Sequence, residues 1–411
     1  MSNHLNLQCY LVGGAVRDSL LGKEVVDRDW VVVGSTPKQM TSLGFKPVGR
    51  DFPVFLHPEN GEEYALARTE RKTAKGYKGF SVWADPSVTL EQDLLRRDLT
   101  INAMAMDGAG KIIDPFGGQQ DLQGKILRHV SEAFSEDPLR VLRVARFMAR
   151  LGSIGFTVHS ETNRLMQKIV AAGEMPALTT ERVWQECHLA LGAQAPHYFI
   201  STLKECGALH EILPEIDNLF GVPQPAEHHP EIDSGLHTLL ALERSASLTD
   251  KAHVRFAALV HDLGKALTDP NDWPRHIDHE NKGVPLVEAL CSRLRVPTKF
   301  TRLAVNVCRY HLLMHQLDRL RPVTVLKLLS SLDAFRNPEN VADFVIACQA
   351  DSQGRTGREN QPYPAAELMH NYLSAAKDID LSDLAKSKLE PQQKAQLVEQ
   401  RRLKAIELRR N

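Results

Sequence analysis

Leu11-Val12-Gly13-Gly14-Ala15-Val16-Arg17-Asp18, followed shortly by Asp27-Arg28-Asp29-Trp30-Val31-Val32-Val33, is the stretch on which the reading of this chain turns. Trp30 to Val33 has the β-branched and aromatic content of a buried strand. Residues i and i+2 of a strand point to one side, so the spacing predicts that Asp27 and Asp29 present their carboxylates together. Paired hard oxygen ligands suit Mg²⁺, which binds through one or two carboxylates plus substrate phosphates. The upstream glycines let backbone amides approach a phosphate, and Arg17 adds a fixed fork of donors. A phosphate-gripping turn feeding a strand with paired carboxylates predicts phosphoryl or nucleotidyl transfer. An Asp-x-Asp alone reads more readily as a surface loop; the Gly-Gly…Arg element ahead of it decides for chemistry.

Further strand-like segments, Cys9 to Val12, Val54 to His57 and Glu63 to Ala67, are confined to the first third and separated by Gly, Pro or Asn turns. A helix is predicted from Ala15 to Leu21, closed by Gly22 as a left-handed cap. Beyond about Ser131 the pattern is helical, with Ser135 expected to cap a helix starting near Glu136 and Pro138 tolerated in its first turn. The fold class is therefore α+β: a mixed-sheet head followed by an all-helical remainder. The segment between Arg71 and Thr89, with Lys72, Lys75 and Lys78 among Gly and Pro, reads either as a basic loop beside the active site or as a solvated connector. The chain has 411 residues and a formal charge of −1, enough for two to four domains and without a global basic field. Its six cysteines form no Cys-x-x-Cys pair. With no export signal and no apolar run near the ~18 residues that span a bilayer, a cytoplasmic location without a membrane is expected.

Gly13-Gly14-Ala15-Val16-Arg17-Asp18-x-Leu20-Leu21-Gly22, Asp27-x-Asp29, Arg96-Arg97-Asp98-Leu99-Thr100-Ile101-Asn102-Ala103 and Glu136-Asp137-Pro138-Leu139-Arg140 resemble the motifs of class II tRNA nucleotidyltransferases. These are the CCA-adding enzymes of the polymerase β superfamily, and the likeness is to the long gammaproteobacterial type carrying an HD phosphohydrolase module. The resemblance implies a nucleotidyltransferase head at 1–145, a helical neck at 146–225 for the nucleotide pocket and tRNA, an HD domain at 226–352 and a basic helical tail at 353–411. It implies tRNA, CTP and ATP as partners, in a monomer or homodimer. Arg97 is implied at phosphate, with Asp98 and Asn102 on the ribose side. A third carboxylate is not placed by the sequence; Glu63 and Asp107 are the candidates.

Arg140, Arg143, Arg146 and Arg150 recur at helical spacing on one face, with no acid among them after Asp137. Such a stripe is ordinarily solvated, but this one begins beside Asp137. An Asp accepting from an exocyclic amino group and an Arg donating to a ring nitrogen would accept C and A and refuse U and G, because wrong bases leave buried polar groups unpaired. The resemblance gives that role to Asp137 and Arg140, and puts Arg143 and Arg146, with Arg97, on the triphosphate.

His237, the adjacent pair His261-Asp262 and the distant Asp351 follow the spacing of the HD phosphohydrolases. Neighbouring side chains on a helix diverge by about 100°, so a metal held by both must sit at a helix end or crossing point. Mixed imidazole and carboxylate ligands suit Ni²⁺, Mn²⁺, Fe or Mg²⁺ better than a closed structural zinc site. His276, His279 and His311 are candidates to extend the site to a second metal or to bind phosphate, whereas His228, His229 and His253 read as core residues. Lys386, Lys388, Lys394, Arg401, Arg402, Lys404, Arg409 and Arg410 make the tail basic, as a solvated helix or a phosphate-contacting arm.

The sequence thus predicts Mg²⁺-dependent nucleotidyl transfer by Asp27 and Asp29, with Gly14, Arg17, Arg97, Arg143 and Arg146 gripping the nucleotide. Hydrolysis of phosphomonoesters or 2′,3′-cyclic phosphates is expected at the distal site. The alternatives are a poly(A) polymerase and a non-catalytic tRNA-binding protein.

Overall fold

In the computed structural model, residues 7–48, 54–72, 80–83, 85–227 and 230–410 are described. The chain divides into two compact units, one running to Glu186 and including Glu205–Ile212, the other comprising Cys187–Lys204 and the residues from Leu213 onward.

Among the described residues up to Ile113 there are nine strands: β1 (Gln8–Val12), β2 (Asp29–Val33), β3 (Lys46–Val48), β4 (Val54–Leu56), β5 (Glu63–Leu66), β6 (Thr69–Lys72), β7 (Phe80–Trp83), β8 (Ala105–Met106) and β9 (Ile112–Ile113). Seven form a mixed sheet in the order β3-β4-β5-β2-β1-β8-β9, and β6 pairs with β7 separately. β2 runs antiparallel to β1 and parallel to β5, a central position that explains its unbroken apolar run. Its residues alternate between faces. Val31 joins Val12, Leu94, Ala103 and Ala105 on one side; Val32 joins Met40, Phe45, Phe55, Tyr64 and Leu66 on the other. Trp30 stacks on Tyr64, ring centroids 5.5 Å apart.

β2 begins at Asp29, so Asp27 precedes the strand and the i, i+2 argument does not govern its direction. Gly22 has φ 67°, the left-handed cap expected behind the helix Gly14–Leu20. Ser135 does not cap the following helix. Residues Glu132–Glu136 form a 3₁₀ turn, Ser135 Oγ donates to the Glu132 carbonyl, and the helix Leu139–Leu151 starts from Pro138. Pro138 has no amide hydrogen to leave unsatisfied at that end. The helical remainder also contains one strand: Thr157–Val158 pairs in parallel with Ile126–Leu127. Of the basic segment between Arg71 and Thr89, Lys75 and Lys78 lie outside the described residues, as do His228 and His229.

In the second unit, helices Ser234–Leu248, Ala252–Val260, His279–Arg293, Thr298–His315 and Glu339–Gln353 pack around one another, and Pro391–Arg410 packs on Pro364–Lys377. In the tail, Arg401 pairs with Asp383 and Arg402 lies 3.5 Å over the Phe335 ring, so part of the basic surface is used within the unit. Among the described residues no helix is long and apolar enough to cross a membrane.

Candidate functional site

In the first unit a cavity of about 600 Å³ opens at the ends of β1, β2 and β5. Gly14, Arg17, Asp29, Arg97, Asp98, Asn102, Asp137, Arg140, Arg143 and Arg146, dispersed over 130 residues of sequence, all line it. Asp27 is exposed and outside the lining. Glu63 is in it, and is the register partner of Asp29 across the parallel β2–β5 pair. Asp107, the other candidate for a third carboxylate, instead accepts from the amides of Ala109 and Lys111 in the β8–β9 turn. Asp29 keeps solvent contact, yet partial desolvation pushes its carboxyl up; Asp27 adds to the shift and Arg97 opposes it. Crowded carboxylates of this kind are relieved by a divalent cation.

The arginines are held by partners that are remote in sequence. Arg17 is buried, donates to both oxygens of Asp18 and donates to Asn102 Oδ1 at 2.6 Å. Asn102 passes the chain on to Asp98 Oδ1 at 3.0 Å, and Asp98 pairs with Arg143 at 2.7 Å. Arg150 closes the other end on Asp18 at 2.8 Å. Burial alone would raise the Asp98 carboxyl, but Arg143, Asn102 and the Leu99 amide outweigh it and hold the group well below the usual range. The Phe147 ring sits within this network, with Arg146, Arg17 and Arg143 guanidinium carbons 4.7, 5.2 and 5.9 Å from its centroid. Arg97 lies against Gly13, which has φ 68° and whose absent Cβ would fall 3.0 Å from Arg97 Nη1. Only glycine combines that backbone with that approach. Arg97 Nε is buried and has no hydrogen-bond partner among the described residues, the condition of a donor awaiting an anion.

Arg140 donates to the carbonyls of Ala133 and Arg96, each at 2.6 Å, which fixes its guanidinium. Asp137 accepts from Arg182 at 2.7 and 3.3 Å, and four residues along the same helix Glu186 accepts from Arg146 at 2.5 Å. The stripe that looks free of acids in sequence is therefore matched by Asp18, Asp98 and Glu186 from elsewhere. Arg182 lines the pocket and Glu186 holds the lining residue Arg146; both belong to Glu181-Arg182-Val183-Trp184-x-Glu186, within the neck expected to serve the nucleotide pocket.

In the second unit the expected histidines converge. His261 caps the helix Ala252–Val260, so that it and Asp262 turn into the interior from a helix end. Two clusters meet there: His237, His261 and Asp351, and Asp262, His279 and His311, the potential ligand atoms of each lying within 4.8 Å of one another. In all four histidines Nδ1 faces a backbone carbonyl: Gly354 for His237, Ala258 for His261, His276 for His279, and Val307 and Cys308 for His311. This leaves Nε2 inward, the arrangement that orients metal-binding imidazoles. His237 Nε2 is 3.1 Å from Asp351 Oδ1, and His279 Nε2 is 3.2 Å from Asp262 Oδ1. Among the described residues His261 Nε2 and Asp262 Oδ1 are buried with no aligned hydrogen-bond partner, although His261 Nε2 lies 3.0 Å from Asp262 Oδ2. His279 Nε2 and His311 Nε2 face each other at 3.3 Å. Close contact without hydrogen-bond alignment is how ligand atoms surround a cation, so the residues present fit a metal centre, with His279 and His311 able to extend it.

His276 stands outside both clusters, bonded to Thr268 Oγ1 and the Pro223 carbonyl. His253 is bonded to Asp343 at 2.7 Å, a satisfied core histidine. Polar neighbours that were not anticipated include Lys265 Nζ 2.6 Å from Asp262, His315 Nε2 2.6 Å from Asp351, Arg355 Nη2 3.5 Å from Asp351 and Glu231 Oε1 3.1 Å from His237 Nδ1. The turn Leu263–Leu267 reaches the helix His279–Arg293 through a glycine pair: a Cβ on Gly264 would meet the His279 carbonyl and come 2.6 Å from Gly283 N. Gly264→Ala should therefore destabilise the protein by ~2 kcal/mol and loosen the approach of Asp262 to His279, measured by denaturant unfolding. Unchanged stability would mean that this contact does not set the turn.

Residues 9–128 match the Poly A polymerase head domain, 155–220 a probable RNA and SrmB-binding site of polymerase A, and 235–337 the HD domain. The chain is 55% identical over 400 residues to the multifunctional CCA protein of Vibrio vulnificus strain YJ016, covering 97% of this chain and 98% of that one. It is 58% identical over 374 residues to that of Teredinibacter turnerae, covering 91% of each. Among solved structures it resembles a CCA-adding enzyme in complex with CTP, with TM-score 0.64 and 21% identity over 98% of this chain and 87% of that one. A Thermotoga maritima CCA-adding enzyme complexed with tRNA aligns with TM-score 0.62 and 21% identity over the same shares. With more than half its residues shared across nearly the full length of these relatives, the chain belongs to the multifunctional CCA protein family.

Proposed function

We propose that this enzyme adds C, C and A to the 3′ end of tRNA from CTP and ATP, and that its HD centre is a metal-dependent phosphohydrolase. The observation that carries the first activity is one cavity whose lining brings together Asp29, Glu63, Arg97, Arg143, Arg146, Asp137 and Arg140. Mg²⁺ held by Asp29, with Asp27 and Glu63 beside it, would favour the deprotonated 3′-hydroxyl and offset charge on the departing pyrophosphate. Gly14 opens the turn to the nucleotide; Arg97, Arg143 and Arg146 take the phosphates; Arg17 braces Asn102 and Asp98 beneath them. Arg140, anchored by two carbonyls, donates to the base ring nitrogen, and Asp137 accepts from its amino group in place of Arg182. A poly(A) polymerase with the same head is disfavoured by the HD segment and by the full-length likeness to multifunctional CCA proteins. The buried pair of imidazole–carboxylate clusters supports the second activity, on phosphomonoesters or 2′,3′-cyclic phosphates. Ni²⁺ or Mn²⁺, as well as Mg²⁺, suits that donor set.

The direct test supplies purified protein with tRNA lacking its 3′ end, Mg²⁺ and each NTP singly, and resolves product lengths. CTP should extend the acceptor by two residues and ATP by one only after them. Extension by ATP alone into a long tail would favour poly(A) synthesis. Within this reading, Asp137→Ala should lower discrimination of CTP and ATP against UTP and GTP on the order of tenfold to a hundredfold, because it removes a charged acceptor. Triphosphate affinity should change less. UTP excluded as strongly as before would remove Asp137 from base selection.

A further inference from the structure

A cavity of about 410 Å³ lies in the second unit where the helices Thr298–His315 and Glu339–Gln353 begin. It shares no lining residue with the recess that holds Asp262, His279 and His311. The same two helices carry His311 and Asp351, but these stand ~18 and ~12 Å along the helix axes from Lys299 and Asp343 of the cavity. Its lining divides by hydrogen-bonding character. Lys299 and Arg302 are exposed, one turn apart, and form no ion pair among the described residues, unlike Arg401 of the tail. Asn306, Asn337 and Asn340 each donate from Nδ2 to the surrounding protein: to the Ser331 carbonyl at 3.5 Å, to Asp333 at 2.7 Å and to the Leu332 carbonyl at 3.0 Å. Their Oδ1 atoms accept from no group among the described residues, which leaves three amide acceptors on residues of the lining. Glu339 is exposed and adds a carboxylate. Asp343 is buried, and its charge is already balanced by Lys251 Nζ and His253 Nε2, each at 2.7 Å. Leu303 and Leu332 supply buried apolar surface.

Two free cations beside a set of unfilled acceptors match a ligand that is anionic at one end and rich in donors at the other. Phosphate alone has the charge but offers the asparagines almost no donors. A metal ion or polyamine suits the acceptors but is repelled by Lys299 and Arg302. We infer that this cavity binds one ribonucleotide whose base carries an exocyclic amino group, with the phosphate on Lys299 and Arg302 and the amino and hydroxyl groups on the asparagine oxygens and Glu339. Uracil, without that amino group, leaves acceptors unpaired and binds more weakly. Recognition is the same for a free nucleotide and for an unstacked residue of an RNA strand. The inference depends on neither activity proposed above.

Photolabelling of the full-length protein with 8-azidoadenosine 5′-monophosphate, followed by mass spectrometry of its peptides, locates the base directly. Label is expected on peptides covering residues 298–306 and 337–343. AMP and CMP should compete for it about tenfold better than UMP. Lys299→Glu and Arg302→Glu, at exposed positions without an ion pair, should each lower that label about tenfold. Label on peptides of the nucleotidyltransferase cavity should stay within about twofold in both variants, which reports that they are folded. Competition by tRNA lacking its 3′ end, with ultraviolet crosslinks to the same peptides, would identify an RNA residue as the occupant; label indifferent to tRNA would identify the free nucleotide. Label confined to peptides of the other two centres, equal competition by UMP, or label unmoved by both charge reversals would overturn the inference.

Discussion

Asp29→Ala should slow CMP incorporation into tRNA lacking its 3′ end by about a thousandfold or more, equivalent to ~4 kcal/mol of lost transition-state stabilisation. The size of the effect follows from position. Asp29 opens the central strand β2, lies between Val12 of β1 and Glu63 of β5 in register, and lines the cavity toward which Arg97, Arg143 and Arg146 converge. Removing its carboxylate leaves a strongly cationic cavity with no oxygen ligand at that point, so triphosphate binding survives while chemistry does not. Asp27→Ala should also abolish addition, although Asp27 stands on the approach to the strand, outside the regular sheet. Asp29→Asn separates charge from volume: it preserves the side-chain shape and should be nearly as damaging as alanine. Glu63→Gln tests the third carboxylate, with an expected loss between those of Asp29→Asn and wild type. Single-turnover addition with bound tRNA, and tRNA binding by mobility shift, give the two readouts; tRNA affinity should stay within a few fold. Robust CMP incorporation by both Asp27→Ala and Asp29→Ala would remove the metal-carboxylate role.

How much of this was legible in the sequence depends on the range over which each signal acts. The strands β1, β2, β4 and β5 and the helix closed by Gly22 were readable to within a residue or two, because period-two alternation, turn residues and a left-handed cap are local. The start of the helix Leu139–Leu151 was not: Ser135 looks like a cap, yet its hydroxyl is taken by Glu132 within a 3₁₀ turn, a choice that local composition does not settle. The arginine face was legible as a helical stripe, but its partners were not. Asp18, Asp98 and Glu186 reach it from three other segments, and only the tertiary fold brings them there. At the distal site His237, His261, Asp262 and Asp351 stood out as a pattern, and His279 and His311 were named as extensions. That Asp262 clusters with His279 and His311, whereas His261 clusters with His237 and Asp351, is a consequence of the helix end at His261 and the glycine contact at Gly264. No spacing rule could divide the ligands that way.

Asp262→Ala and His261→Ala should each abolish metal-dependent phosphohydrolysis while CCA addition continues near the wild-type rate. His237, His261, Asp262, His279, His311 and Asp351 are all nearly inaccessible, and the carboxylates are surrounded by imidazoles whose Nδ1 atoms face backbone carbonyls. Asp262 has the widest reach, being in contact range of His261, Lys265, His279 and His311, so its loss removes a donor from one cluster and the balancing charge from the other. A buried imidazole set stripped of its carboxylate costs ~3–5 kcal/mol when one partner of such a pair is deleted. Asp262→Asn, which keeps shape and part of the hydrogen bonding, therefore serves as the variant that folds where alanine does not. The residues proposed for nucleotidyl transfer belong to the other compact unit, which is the physical ground for expecting addition to persist. Removing metal with a chelator and returning Ni²⁺, Mn²⁺ or Mg²⁺ singly should restore hydrolysis with a preference for the transition metals, since four imidazoles favour borderline ions, and addition should recover best with Mg²⁺ at its oxygen ligands. An Asp262→Asn protein with full phosphatase activity would eliminate the metal assignment at this centre. Loss of both activities in a variant that remains folded by circular dichroism would show instead that the two centres are coupled, and that the unit carrying the histidines governs the enzyme's addition of nucleotides.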